Sequence, residues 1–348
     1  MFSFLRYVLP ACFLLISTTT IAAEPSPSPW LFTPTVSSDP KVGTAVGAMG
    51  AYLHKFDKHS PASMFGATAS YSSTKSVKGG VFGRAYLNND TQRIMGGLFG
   101  GYINNDYQDF LGSGLPVSTN DDMRFAALRY LHRVAGDWFL GGHVISTNYQ
   151  ISSDDPFTGD MLDLLGLTGF RSNGLGLVIQ HDTRDNQNSP SIGHNLEAFN
   201  VAFREGLGGD VSFDSYTGSY AGFHNFDSPH VLAYRVKGRW TSDAPKSGYS
   251  SIELRGYTRG QYLAPHSTLA EVEGRFHIKG RFGANLFSGI ACLYGSGTGC
   301  GNSENLYPNI GAGLTYQLKP EEKMVVRAEY AQGKSGNKGF YLQFGQAF

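Results

Sequence analysis

The 348-residue chain sets 28 Lys and Arg against 28 Asp and Glu, and only 16% of it is charged, against about 25% in an ordinary soluble domain. Zero net charge argues against a nucleic-acid partner. The chain carries 45 Gly, 24 Phe and 19 Tyr at a mean hydropathy of −0.22, and beyond the first residues no apolar run is long enough for a membrane helix.

Residues 1–23 read as an export signal. Arg6 gives a positive start, 7–17 a short apolar core, and Ile21-Ala22-Ala23 a small-residue exit. Leu9-Pro10-Ala11-Cys12 faintly resembles a lipoprotein box, but too little apolar sequence precedes Cys12. Residues 24–348 then form a single domain. In an exported chain, low charge with abundant Gly and aromatic residues implies an all-β transmembrane barrel in the outer membrane of a Gram-negative bacterium.

Alternating segments bounded by turn residues number sixteen: 30–37, 43–55, 62–74, 78–89, 93–104, 122–134, 138–151, 173–183, 194–205, 212–224, 229–242, 268–279, 282–293, 308–318, 322–333 and 338–348. The even count suits a single-chain antiparallel barrel. The long connections 105–121, 152–172, 243–267 and 294–307 all follow odd segments, so they share one end of the barrel. Most even connections are short, and 186–193 is intermediate.

The faces carry more information. In 268–279, Ala270, Val272, Gly274, Phe276 and Ile278 share one face, and Glu271, Glu273, Arg275 and His277 the other. Met324, Val326, Ala328 and Tyr330 alternate with Val325, Arg327 and Glu329, and Leu232, Tyr234, Val236 and Trp240 with Arg235, Lys237 and Arg239. Consecutive charges on a lipid face would each cost about 2–4 kcal/mol near the midplane, so they face a polar lumen. A soluble sandwich would invert this, but sixteen strands of this length suit a barrel better. The last segment puts Phe340, Leu342, Phe344 and Phe348 on one apolar face, which would aggregate unless closed against the first strand.

Three separated motifs resemble one family. Asp182-Thr183-Arg184-Asp185 with Pro190 and Gly193 falls at a turn; Arg255-Gly256-Tyr257 with Gly260 lies in the long connection 243–267; Glu273-x-Arg275 follows on the next strand. With the terminal Phe348, this set resembles the bacterial surface antigen family, the BamA/TamA-like sixteen-stranded barrels. Pro34, Asp39-Pro40 and Gly43 resemble its first hairpin. The resemblance implies membrane-protein or lipid assembly, a periplasmic protein partner, and Phe348 as the barrel insertion signal. Two departures stand out. Only about six residues separate Ala23 from the first strand, so the expectation is a barrel lacking periplasmic client-binding modules. Where the family has an aspartate on the thirteenth strand, the stretch Leu286-Phe287-Ser288-Gly289-Ile290 offers serine.

If the connection folds into the lumen, buried Arg255 requires a carboxylate. Glu271, Glu273 and Glu329 are candidates, with Glu273 the expected partner. A bidentate pair would fix the tip as a structural lock, Gly256 would allow close backbone approach, and Tyr257 would pack on the wall. Asp182, Arg184 and Asp185 are expected to form a charge network at their turn, shaped by Pro190 and Gly193. Cys292 and Cys300, flanking a Gly- and Ser-rich stretch, form a disulfide in an oxidising compartment; with no Cys or His beside them, a metal site is not expected, and no cofactor is. Ten histidines form no Ser/His/Asp arrangement, and His181 and Asp182 point to opposite faces. The alternatives to an assembly role are a passive pore for small solutes and, less fitting, an outer-membrane lipid hydrolase.

Overall fold

The computed structural model describes residues 28–39, 42–107, 110, 116–297 and 299–348. The proposed leader 1–23, Cys12 within it, and Pro40 lie outside the described residues.

Sixteen antiparallel strands close into a barrel: β1 Trp30–Asp39, β2 Gly43–His54, β3 Ser63–Ser72, β4 Val77–Leu87, β5 Gln92–Tyr107, β6 Val117–Ala135, β7 Trp138–Ser152, β8 Gly169–Asp182, β9 Gly193–Phe203, β10 Phe213–His224, β11 Val231–Ser242, β12 His266–Lys279, β13 Phe282–Tyr294, β14 Leu306–Lys319, β15 Met324–Gly333 and β16 Lys338–Phe344. Each strand pairs with its sequence neighbours, and β1 meets β16 to complete the ring. Closure brings every barrel strand between two neighbours, leaving among the described residues the part of β1 before Val36 without a register partner on its β16 side, as suits a chain surrounded by lipid.

The alternation read from the sequence reappears as inside and outside. Leu98, Leu128, Leu177 and Leu314 stand exposed on the outer face, while Glu271, Glu273, Arg327 and Glu329 are buried on the inner one.

Several elements differ from expectation. Both ends of the connection 105–121 are strand, since β5 runs to Tyr107 and β6 starts at Val117. The ladder continues there on polar inward residues: Asn105 Nδ2 donates to Thr119 Oγ1 (2.9 Å), and Thr119 Oγ1 to Asp121 Oδ1 (2.9 Å). With both faces polar, the apolar alternation vanishes while the pairing does not. The connection 152–172 contains a helix, α1 Pro156–Leu164, started by Pro156 and capped by Asp155, which accepts from Thr158 N (2.9 Å). The last strand ends at Phe344, and Gly345 at φ 87° turns the chain. Met324, expected on the lipid face, is fully buried with Leu31, Met49, Leu53 and Met64.

The β1–β16 seam is short. Its register pairs Val36, Ser37 and Ser38 with Leu342, Tyr341 and Phe340, whereas β1 pairs with β2 from Trp30 to Asp39. Pro34 lies in the part of β1 beyond the seam register.

Candidate functional site

Between β11 and β12 the connection 243–265 contains a short 3-10 turn at Lys246–Gly248 and a two-residue hairpin pairing Ser250–Ser251 with Leu263–Ala264. Ile252, Leu254, Tyr257, Tyr262 and Ala264 form one buried apolar cluster with Leu269 of β12, Ala291 and Leu293 of β13, and Tyr307 of β14. The apolar residues of this polar-looking stretch therefore attach it to the barrel wall.

Arg255 reaches all three nominated carboxylates. Its Nε and Nη2 donate to Glu271 Oε1 (3.1 and 2.7 Å), and its Nη1 donates to Glu329 Oε1 (2.8 Å). Nη1 also lies 2.7 Å from Glu273 Oε2. No well-aligned N–H meets that oxygen among the described residues, so the Arg255–Glu273 contact is held chiefly by charge. The guanidinium stacks 3.3 Å above the Phe287 ring.

Each carboxylate has a second cation. Arg235 Nε donates to Glu271 (2.9 Å), Arg275 Nε to Glu273 (2.7 Å), and Arg327 Nη1 to Glu329. Asn285 Nδ2 also donates to Glu329. All three carboxylates are 0% exposed, so without these cations they would carry a desolvation cost of several kcal/mol each. β12 supplies two of them because Glu271 and Glu273 are two residues apart on one face.

The backbone of the tip is held as well. Gly256 N donates to Tyr341 Oη (3.0 Å), and Asn309 Nδ2 donates to Arg255 O (2.9 Å). Tyr257 Oη donates to Pro308 O (2.6 Å) and accepts from Lys334 N (2.9 Å). Gly256 sits at φ 93° with its missing Cβ 3.3 Å from the Ala331 and Gln332 backbone, which explains a glycine here.

The serine that stands in the 286–290 stretch, where the family has an aspartate, is not in the site. Ser288 is on the outer face, its hydroxyl donating to Asn309 O (2.9 Å). Asn285 and Phe287, one strand parity away, are the β13 residues that face Arg255 and its partners.

The Asp182 turn forms a second ion cluster, between β8 and β9. Asp182 accepts from Arg93 Nη1 (2.6 Å), Arg184 Nε (2.8 Å) and Gln187 Nε2 (3.0 Å). Arg93 also donates to Asp90 (2.8 and 2.6 Å), shared with Arg133 Nη2 (3.1 Å), and lies 3.9 Å from the buried Phe139 ring. Arg93, Asp90 and Arg133 were not singled out from the sequence; the only available signal was Arg93 on the inward parity beside a short turn. Asp185 accepts from Lys323 Nζ (2.9 Å), Ser191 N (2.7 Å) and Ile192 N (3.2 Å). Partial burial raises its pKa, but the Lys323 ammonium and these amides outweigh that and hold it below the usual range. Gly193, at φ 94°, has its missing Cβ position 2.3 Å from Thr183 O.

Arg275 joins the motifs. While paired with Glu273, it donates Nη1 to Pro190 O (3.5 Å) and Nη2 to Phe348 O (3.0 Å). Phe348 is therefore not in the outward stripe of Phe340 and Leu342. After the turn at Gly345 its ring lies near Phe223, Arg235 and Arg275, while Gln346 donates to Ser189 (2.9 Å).

Cys292 and Cys300 are disulfide-bonded. His181 contacts His194 (2.8 Å), while Asp182 is buried among arginines, so the two do not cooperate. Among the described residues no group of three or more His, Cys, Asp or Glu could hold a metal. A cavity of about 940 Å³ lies between the connection and the opposite wall, bounded by Lys78, Phe99, Phe125, Tyr249 and Arg259.

Sixteen strands closed in sequence order define a transmembrane-type β-barrel whose fold is the one seen in the BamA and CdiB barrels. Among solved structures, the chain is similar to BamA from Haemophilus ducreyi lacking POTRA domains 1–3, at TM-score 0.59 and 13% identity over 91% of this chain and 70% of that one. It is also similar to CdiB from Acinetobacter baumannii (TM-score 0.59, 13% identity, 90% of this chain and 60% of that one) and from Escherichia coli (0.61, 10%, 90% and 62%). No family model and no curated protein sequence matches the chain.

Proposed function

We propose that this chain is a BamA/TamA-like barrel of the outer membrane that takes part in membrane-protein or lipid assembly or translocation, with the connection 243–265 folded inward and locked by Arg255. One observation carries the reading: Arg255 engages carboxylates on β12 and β15, two strands that β13 and β14 separate. A single side chain spans that arc from the lumen side. The lock is structural and non-enzymatic, and binding or translocation needs no cofactor. The short β1–β16 register supports a seam that parts for a client. The short turns, including 183–192, would face the periplasm and a protein partner there, with outer-membrane lipid around the outer face.

The cavity beside the connection favours a second reading, a passive pore for small solutes. Planar-bilayer conductance separates the two. The lock reading expects the intact chain to be nearly silent and the deletion of 243–267 to conduct; porin-like conductance from the intact chain would sink it. A depletion strain then tests the role itself, with reduced outer-membrane protein or lipid content expected and an unchanged envelope arguing against assembly.

A further inference from the structure

The outer face of β5–β8 has an unusual upper region. Arg124 of β6 is paired directly with Asn148 of β7, and Asn148 with Arg171 of β8, so the three form one cross-strand row. Gly100 of β5 continues the row on the other side of Arg124. The side chains of Arg124 and Arg171 are 73% and 59% exposed. Their backbones are two strand spacings apart, about 10 Å, so the two guanidiniums can converge over Asn148.

Acids stand near both cations, but loosely. Arg124 is 3.4 Å from Asp122, and Arg171 is 3.7 Å from Asp210, whose Oδ2 also accepts from Arg171 N. Exposed pairs of this kind are worth about 1 kcal/mol or less, so each arginine keeps donors for another anion.

The next rows toward the short-turn end change character. Leu98, Ala126 and Ser146 are followed by Leu128, Val144 and Leu175. Small side chains at Gly100, Ala126 and Ser146 leave two adjoining hollows of about 350 and 510 Å³ that share Leu98, Ala126 and Ser146, with Arg124 and Asn148 bordering the second. An apolar groove thus leads from two exposed arginines toward the middle of the barrel wall. An arginine on the lipid face costs little only near the interface, where lipid phosphates lie.

We infer that this face is a binding site for a phosphate-bearing lipid, its phosphate held by Arg124, Asn148 and Arg171 and an acyl chain lying in the groove along Leu98, Ala126 and Val144. Two guanidinium forks on one cross-strand row suit a phosphate better than a single cation does. The inference rests on the proposed outer-membrane placement.

The test is native mass spectrometry of the full chain in non-ionic detergent, titrated with dioleoyl phosphatidic acid and, separately, with dioleoylglycerol, which differs only by the phosphate. Phosphatidic acid should be retained selectively, and Arg124→Gln with Arg171→Gln should weaken retention about tenfold, roughly 1.4 kcal/mol. The Arg124→Lys/Arg171→Lys variant should keep part of it, and heat-modifiable mobility should show both variants folded. Equal retention by the glutamine variant, equal retention of dioleoylglycerol, or full displacement by inorganic phosphate would overturn the site. Fractionating cells that express the same chain separates the two claims: a chain absent from the outer membrane removes both, whereas a membrane-inserted barrel without the preference removes this one alone.

Discussion

The Arg255 and Asp182 clusters are built from the same chemistry but attached differently. Arg255 comes from a connection and is compensated by three carboxylates on two separated strands, which rely in turn on Arg235, Arg275 and Arg327. Asp182 is at a strand end, and two of its donors, Arg184 and Gln187, are local, with Arg93 the long-range one. The first cluster ties a connection to strands distant in sequence, beside the apolar packing and backbone hydrogen bonds that also seat it; the second tightens a turn that the ladder already sets. Removing a member should therefore release a segment in one case and loosen a turn in the other.

The largest effect is expected from Arg255→Met. It leaves three fully buried carboxylates with one cation fewer, and breaking a buried pair costs about 3–5 kcal/mol. Urea unfolding in lipid vesicles should show a marked loss, and an unchanged midpoint would mean that the cluster adds nothing. Glu271→Gln should cost less than Arg255→Met, since it removes one of the three acids; an equal cost would mean that the three do not share the load. Arg184→Ala should be milder still, about 1–2 kcal/mol, because Arg93 and Gln187 remain on Asp182; a loss matching Arg255→Met would erase the contrast. Gly256→Ala should cost about 1–3 kcal/mol through its φ of 93°, while an alanine at the exposed Gly299, where a Cβ meets nothing, should have little effect.

A pH prediction concerns a short-turn residue outside both clusters. Asp57 accepts from the Ser60 hydroxyl and from the Ser60, His59 and Asn89 amides, and its pKa falls from an ordinary 3.8 to about 2, the Ser60 hydroxyl contributing most. Because the folded value is depressed, this contribution is present above about pH 4 and is lost as pH falls toward 2. Asp57→Asn should flatten the small acid-side decline in the urea midpoint, and an identical decline in wild type and variant would count against it.

Much of the barrel was legible because lipid outside and polar lumen inside enforce a two-residue alternation. The sixteen strands follow from it, as does the inward parity of Glu271, Glu273 and Glu329. Where both faces are polar, as at Asn105 and Thr119, the same rule fails and the strands run longer than expected. The pairing of Arg255 was legible only as a need for a carboxylate. That it meets three, with Glu273 the one lacking an aligned hydrogen bond, depends on the tilt and closure of the sheet. Parity corrects Ser288, which is outward, and brings in Asn285 and Phe287. The convergence of Pro190, Glu273 and Phe348 on Arg275 joins positions more than 150 residues apart, which no local pattern encodes. The inward turn at Gly345 removes Phe348 from the stripe, since a glycine at positive φ ends a strand without regard to the apolar residues after it.

The central claim, that Arg255 holds the connection against the β12–β15 wall, is tested most directly by hydrogen exchange on the full chain in lipid nanodiscs. Amides in 252–262 should be protected in the wild type. In Arg255→Met they should exchange far faster while those of β12 and β15 keep their protection. Rapid exchange of 252–262 in the wild type, or equal protection in the variant, would contradict the account.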